Sequence, residues 1–210
     1  MKNCLIAFFV FYSVTLHAQY SGYTAVNDLD AFKTTFSSGS KKIESIKSNF
    51  VQEKNLAVLA EKITSEGKFA YKKDNRVRIE YVTPFTYLLV MNGDQILTKD
   101  NEKENKVNVK SNKLFQQINR IMVDCVQGTI LDNKDFTVRV FENSPSWLLE
   151  ITPLNKTMKS FFKNIIVVAD KKDDSVISID MREPSGDNTL IRFTQKEINV
   201  SISDELFKIK

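Results

Sequence analysis

The 210-residue chain carries a single histidine, His17, and two cysteines, Cys4 and Cys125. These are the residue types on which nucleophilic, general-base and zinc chemistry most often rest. Two of the three fall in a segment with the order of a secretory signal. Met1-Lys2-Asn3-Cys4 is followed by an apolar run from Leu5 to Leu16, broken by Ser13 and Thr15, and then by the small residue Ala18. Cleavage is expected after Ala18, which makes residues 1–18 a signal peptide and residues 19–210 one domain. The run is shorter than the ~20 residues that a bilayer span needs. Cys4 precedes the run, so it is not a lipid-attachment cysteine closing the signal, and a periplasmic location is expected. Removing Lys2 from 30 basic residues leaves 29 against 26 acidic ones, a net +3.

Such a mature chain has no histidine, and therefore no Ser-His-Asp triad, Cys-His pair, His-ligated zinc or His base. Cys125 lies in Ile121-Met122-Val123-Asp124-Cys125-Val126. Nothing basic stands beside it in sequence to form a thiolate, and it reads as an inert thiol in a half-buried helix. The acidic residues fall mainly in turns or on polar strand faces, where no pair is expected to converge as glycoside hydrolysis requires. Gly22, Gly39, Gly67, Gly93, Gly128 and Gly186 are too scattered for a dinucleotide fingerprint or a phosphate-cradling loop. A formal +4 spread over 56 charged residues is no clustered basic face, so nucleic acid is not expected as a partner. Only Asp, Glu, Lys, Tyr or the lone Cys125 is left to do chemistry, and no cofactor or metal is expected.

The rest of the chain is a succession of strands. Lys68-Phe69-Ala70-Tyr71 and Arg76-Val77-Arg78-Ile79-Glu80-Tyr81 alternate with period two around the turn Lys72-Lys73-Asp74-Asn75. Phe85 to Met91 is a more continuous apolar strand, and Asn92-Gly93 favours a tight turn into Gln95-Ile96-Leu97. Further strands are expected at 44–56, 104–109, 136–142, 147–152, 161–169, 176–183, 189–202 and 206–209, about eleven in all. Helical spacing marks 24–38, through Val26, Leu29, Phe32 and Phe36, and 112–131, through Leu114, Phe115, Ile118, Ile121 and Met122. Short antiparallel strands interrupted by two helices make a mainly β fold of the α+β kind, a curved sheet or barrel capped by helices. Trp147, after Ser144-Pro145-Ser146, is expected in the core or a cavity wall.

Several strings, in order, resemble the periplasmic outer-membrane lipoprotein carrier family, LolA. They are Phe50-Val51-Gln52, Gly67-Lys68-Phe69, Arg78 to Pro84 and Asn92-Gly93-Asp94-Gln95. Gly186 with Thr189 to Phe193, and Asn199, Ile202 and Leu206 to Ile209, continue the likeness toward the C-terminus. Many family members have Trp where Ile79 stands, and an Arg-Pro pair at the position of Lys73-Asp74. The resemblance implies an incomplete antiparallel barrel with helices forming a lid over an apolar concave face that holds acyl chains. Its cavity would be lined from Phe69, Tyr71, Val77, Ile79, Tyr81, Leu88, Val90, Ile177, Ile179, Met181, Ile191 and Phe193. By alignment with the family arginine, Lys73 would latch the lid helix Asn112 to Leu131, with Lys72 an exposed neighbour. The implied function is ferrying lipoproteins from inner to outer membrane as a monomer, between an ABC-type lipoprotein-releasing complex and an outer-membrane acceptor. The alternative is carriage of another amphiphile, such as a glycolipid or a lipid-linked pigment. A hydrolase built on carboxylates is a distant third.

Overall fold

The computed structural model describes residues 20–59, 61–100, 103–108, 121, 124–125 and 128–209. Its strands are β1 (Thr24–Ala25), β2 (Ser45–Leu56), β3 (Glu61–Lys72), β4 (Arg76–Thr83), β5 (Tyr87–Asn92) and β6 (Gln95–Lys99). They continue as β7 (Glu104–Asn108), β8 (Phe136–Glu142), β9 (Ser146–Pro153), β10 (Asn164–Asp170), β11 (Val176–Arg182) and β12 (Asn188–Ile198). All twelve join one antiparallel sheet in the order β1-β8-β9-β10-β11-β12-β2-β3-β4-β5-β6-β7. Two meanders, β2 to β7 and β8 to β12, are thus joined where β12 pairs with β2. The sheet does not close, as expected of an incomplete barrel.

Period two explains the individual strands. Ile46, Ser48 and Phe50 of β2 are buried, whereas Lys47 and Asn49 between them are exposed. β3 begins seven residues before the expected Lys68. Its N-terminal stretch Glu61-Lys62-Ile63-Thr64 has little apolar alternation, but twelve cross-strand pairs with β2, from Ser45↔Lys72 to Leu56↔Glu61, hold it in register.

Helix α1 (Leu29–Ser40) starts where Asp28 Oδ1 accepts a hydrogen bond from Ala31 N at 2.9 Å. The expected start at residue 24 is too early, because Thr24 and Ala25 pair with Glu142 and Phe141 as β1. Phe32 and Phe36, one turn apart, are buried and stacked at 5.2 Å, and Phe32 meets Trp147 edge-on at 4.9 Å. The six-residue helix α2 (Lys156–Phe161), capped by Asn155, was not legible as a helix; it buries Met158 completely. Most of the expected helix Asn112 to Leu131 lies outside the described residues. Within it Ile121, Asp124 and Cys125 are helical, and Ile130–Asp132 forms a 3₁₀ turn. The expected last strand at 206–209 is instead a 3₁₀ helix, Asp204–Phe207, which plugs Phe207 into the convex side of the sheet against Ala70, Val90, Leu97 and Ile202. Among the described residues, no helix is long and apolar enough to cross a membrane.

Candidate functional site

The concave face carries a cavity of about 180 Å³. Its wall comes from six consecutive strands: Ile165 and Val167 (β10), Ile179 and Met181 (β11), Ile191 and Phe193 (β12), Phe50 and Gln52 (β2), Phe69 (β3), Ile79 and Tyr81 (β4). In a flat sheet those strands would spread over roughly 24 Å, five gaps of about 4.8 Å each. Facing one cavity, they show how strongly the sheet curls. The registers place their side chains in rows across the strands, Val167↔Ile179↔Ile191↔Gln52 in one and Phe193↔Phe50↔Gly67↔Tyr81 in the next.

The second row is interrupted by a glycine for a steric reason. A Cβ on Gly67 would stand 2.2 Å from the Glu80 carbonyl oxygen and 2.6 Å from the Phe50 ring. The missing side chain lets the Phe50 ring lie over β3 and meet Tyr81 edge-on at 5.1 Å. Tyr81 donates its hydroxyl hydrogen to Gln52 Oε1 at 2.8 Å, so these two polar groups satisfy one another inside an otherwise apolar wall. Burial pushes the Tyr81 phenol above its ordinary range, and the neighbouring Tyr87 adds to the effect. Val58 and Leu59 in the β2–β3 connection, Ile63 in β3, Val82 in β4 and Phe85 in the β4–β5 connection are exposed apolar residues, and Phe85 stacks on Tyr81 at 5.7 Å.

Over the wall stand Ile121, Cys125 and Phe162. Cys125 is buried and its thiol is pushed up to about 12, first by desolvation and then by Asp124. A thiol so placed is a weak acid packed as a small apolar group. Among the described lining residues, only the cysteine, the tyrosine and the glutamine have side chains that can hydrogen-bond, and none is arranged as nucleophile and base. Among the described residues, no group of three or more His, Cys, Asp or Glu is placed to hold a metal ion.

Seven of the twelve residues expected in the cavity line it: Phe69, Ile79, Tyr81, Ile179, Met181, Ile191 and Phe193. Tyr71 and Val77 share their face but are 1% exposed, packed solidly with Ile43, Ile46, Met91 and Ile96. Leu88 and Val90 belong to the convex side, beneath Phe207. In a strand apolar on both faces, parity alone does not tell inside from outside, and it is Leu89 and Met91 that face inward. Ile177 stands at a bulge, where Val168↔Ser178 is followed by Ala169↔Val176, and is not among the lining residues. The sequence reading missed Phe50, Gln52, Ile165, Val167, Ile121, Cys125 and Phe162. Alternation of Ser48, Phe50 and Gln52 was the available signal for the first two.

Lys73 sits at the tip of the β3–β4 hairpin, followed by Asp74 and Asn75 at φ 70° and 56°. Its ammonium bonds Glu44 Oε1 at 2.5 Å, which raises the Lys73 pKa, and it is not part of the cavity wall. The helix it was expected to latch lies mostly outside the described residues. Lys72 is no bystander: it donates to the Ile202 carbonyl at 2.9 Å and to Asp204 Oδ1 at 2.5 Å, pinning the C-terminal 3₁₀ helix.

The family model described as outer membrane lipoprotein carrier protein LolA matches residues 41–210. Among solved structures, an uncharacterized conserved protein from Thermus thermophilus superposes with a TM-score of 0.51 at 6% identity, over 87% of this chain and 95% of that one. A putative outer membrane lipoprotein-sorting protein domain from Vibrio parahaemolyticus gives 0.46 at 8% identity, over 86% and 97%. Mycobacterium tuberculosis lipoprotein LppX gives 0.45 at 10%, over 84% and 99%. No curated protein matches the sequence significantly.

Proposed function

The chain belongs to the outer membrane lipoprotein carrier protein LolA family, and we propose that it is a non-enzymatic periplasmic carrier that takes lipoprotein acyl chains into the concave cavity and ferries them from inner to outer membrane. The observation that carries this reading is the cavity itself, an apolar wall contributed by six neighbouring strands. Hiding an acyl chain from water is worth ~0.8 kcal/mol per CH₂, so one long chain represents on the order of 10 kcal/mol without any catalytic group.

Size sets the mechanism. At about 180 Å³ the cavity is little larger than an engineered cavity of about 150 Å³ that holds one benzene. It accommodates part of a chain as it stands, and a whole chain requires the cover that supplies Ile121, Cys125 and Phe162 to move away. Opening is then driven by the apolar area that the cargo buries, with no need for a nucleotide. The half-buried state of Ile79, Ile179, Met181 and Ile191 supports access from solvent. Removal of residues 1–18 on export, a donor complex in the inner membrane and an acceptor in the outer membrane complete the proposal.

Mass spectrometry of organic extracts from protein purified from its native periplasm tests it. Co-purifying lipoprotein acyl chains are expected. A distinct amphiphile, such as a glycolipid or a lipid-linked pigment, would replace the cargo while keeping the carrier. A reproducibly empty protein that takes up no acylated probe would end the reading.

A further inference from the structure

Beside the cavity lies a small annex of about 30 Å³ that shares Phe69, Cys125, Ile179 and Phe193 with it and adds Ile46, Ser48, Val176 and Lys196. Lys196 reaches this place through an irregularity in β12. Thr194 pairs with Asn49 and Glu197 with Lys47, so two residues, Gln195 and Lys196, stand opposite the single Ser48. Gln195 takes φ 51° and turns its side chain outward, where Asn49 Nδ2 donates to Gln195 Oε1 at 2.6 Å. A regular strand carrying Ile191 and Phe193 inward would send Lys196 to the solvent face with Arg192 and Thr194. The bulge reverses that parity and brings Lys196 into the lining of an otherwise largely apolar annex.

Another residue lining the annex carries an unsatisfied group. Ser48 is 4% exposed, and its Oγ has no hydrogen-bond partner among the described residues. Buried hydroxyls are almost always bonded, so an orphan lining the same annex as a lysine calls for an explanation. Lys196 donates to Ser175 Oγ at 2.5 Å, and Ser175 in turn donates to Asp173 Oδ1. That uses one of the three N–H donors of the ammonium. Lys196 makes no direct ion pair with a carboxylate among the described residues.

We infer that Ser48 and Lys196 form a carboxylate site beside the cavity, and that the protein therefore binds free fatty acids, head in the annex and tail along the apolar wall. This rests on the cavity being an acyl-chain site. The annex has room for about two water-sized groups, which matches the two oxygens of a carboxylate better than the larger phosphate group. From Ser48 to Gln52 the wall extends roughly 13 Å along β2, at about 3.3 Å per residue, so the part of a tail held by the closed cavity lies along it and the rest enters when the cover moves. The ammonium attracts the anion in surroundings of low dielectric, and the Ser48 hydroxyl gains the acceptor it lacks.

Titration calorimetry of the full chain with dodecanoate, dodecan-1-ol and dodecyl phosphate, below their micellar concentrations, tests the site. Dodecanoate is expected to bind about tenfold tighter than the alcohol, a difference of ~1.4 kcal/mol, and the phosphate no tighter than the alcohol. Lys196→Met and Ser48→Ala should each erase most of the dodecanoate advantage and leave the alcohol unchanged. Equal binding of dodecanoate and dodecan-1-ol by the unmodified protein overturns the carboxylate site while leaving the acyl cavity standing. Phosphate binding as tight as dodecanoate overturns the carboxylate selectivity. Failure of all three to bind removes the acyl-chain reading and this site with it.

Discussion

Two stretches of the same concave face are built from the same kinds of residue and end differently. Beneath α1, Leu149 and Ile151 are fully buried, because Phe32 and Phe36 of α1 and Met158 of α2 fill the space above them. Further round the sheet, Ile79, Ile179 and Ile191 are only half-buried and face a cavity. Branched aliphatic side chains on β-strands populate both regions, so residue type does not distinguish core from binding wall. What distinguishes them is whether a covering element delivers enough volume. α1 brings two stacked phenyl rings down onto its half, whereas the cover over the cavity brings Ile121, Cys125 and Phe162 and leaves about 180 Å³ unfilled. Interiors ordinarily pack to near-crystalline density, so a gap of this size inside an apolar wall is maintained against the usual tendency to collapse.

Truncation on each side gives the largest contrast. Leu149→Ala should cost about 3–4 kcal/mol in urea denaturation, since the methylenes leave a cavity that its neighbours cannot fill. Ile191→Ala should cost less than about 1.5 kcal/mol, because its side chain borders space that is already empty, but should weaken acyl-chain binding. Equal costs at the two sites would mean that the cavity closes in solution and that the contrast between the regions is not real.

A smaller effect comes from filling rather than emptying. Gly67→Ala puts a methyl group against the Phe50 ring and the Glu80 carbonyl, and overpacking of this kind costs about 1–3 kcal/mol. The Phe50 ring must shift toward Tyr81 and into the cavity. Affinity for an acylated probe should therefore fall along with stability. Unchanged affinity would show that the Phe50–Tyr81 end is not where chains enter or lie.

The smallest effect is expected on the convex side, where the Phe207 plug gives a packed region away from the cavity. Lys72→Leu removes the bonds to Ile202 and Asp204 and should lower the Tm modestly, whereas Lys73→Leu, which loses only exposed Glu44, should leave it unchanged. Neither should alter chain binding unless Lys73 also contacts the cover. Lys72, and then Arg76, holds the Asp204 carboxyl below its ordinary range. The stabilisation from this cluster is present above the ordinary aspartate pKa of about 4 and disappears as pH falls through the lower folded value. In thermal melts taken toward pH 3 the gap between the Lys72→Leu variant and the parent should therefore narrow. A constant gap would assign the Lys72 effect to its bond with the Ile202 carbonyl alone.

Much of the sheet was legible in the sequence because the signals are local. Period-two alternation marked the hairpin of β3 and β4, Asn92-Gly93 marked the next turn, and nearly every strand from β2 to β12 fell close to its expected range. The errors have a common origin. Leu88 and Val90 were expected in the cavity, but the Phe85 to Met91 run is apolar on both faces and contains nothing to say which face is concave. The C-terminal Leu206 to Ile209 string has strand-like composition, yet it pairs with no strand among the described residues, and the chain there folds as a 3₁₀ plug held by Lys72 and Arg76. Helix α2 is too short for periodicity to show.

The residue inventory and the parity of each strand follow from the order of residues alone: the single histidine is His17, Cys125 stands in an apolar setting, and alternating residues share a face. Which face curls around a void, what covers it and where parity breaks depend on the folded sheet. The bulge opposite Ser48 carries that lesson in one place. In a regular strand, alternation counted from Phe193 would put Lys196 outside, and only the pairing of β12 with β2 shows that two residues face one and turn it in. Pairing between strands more than a hundred residues apart is a property of the assembled sheet, and no local pattern encodes it.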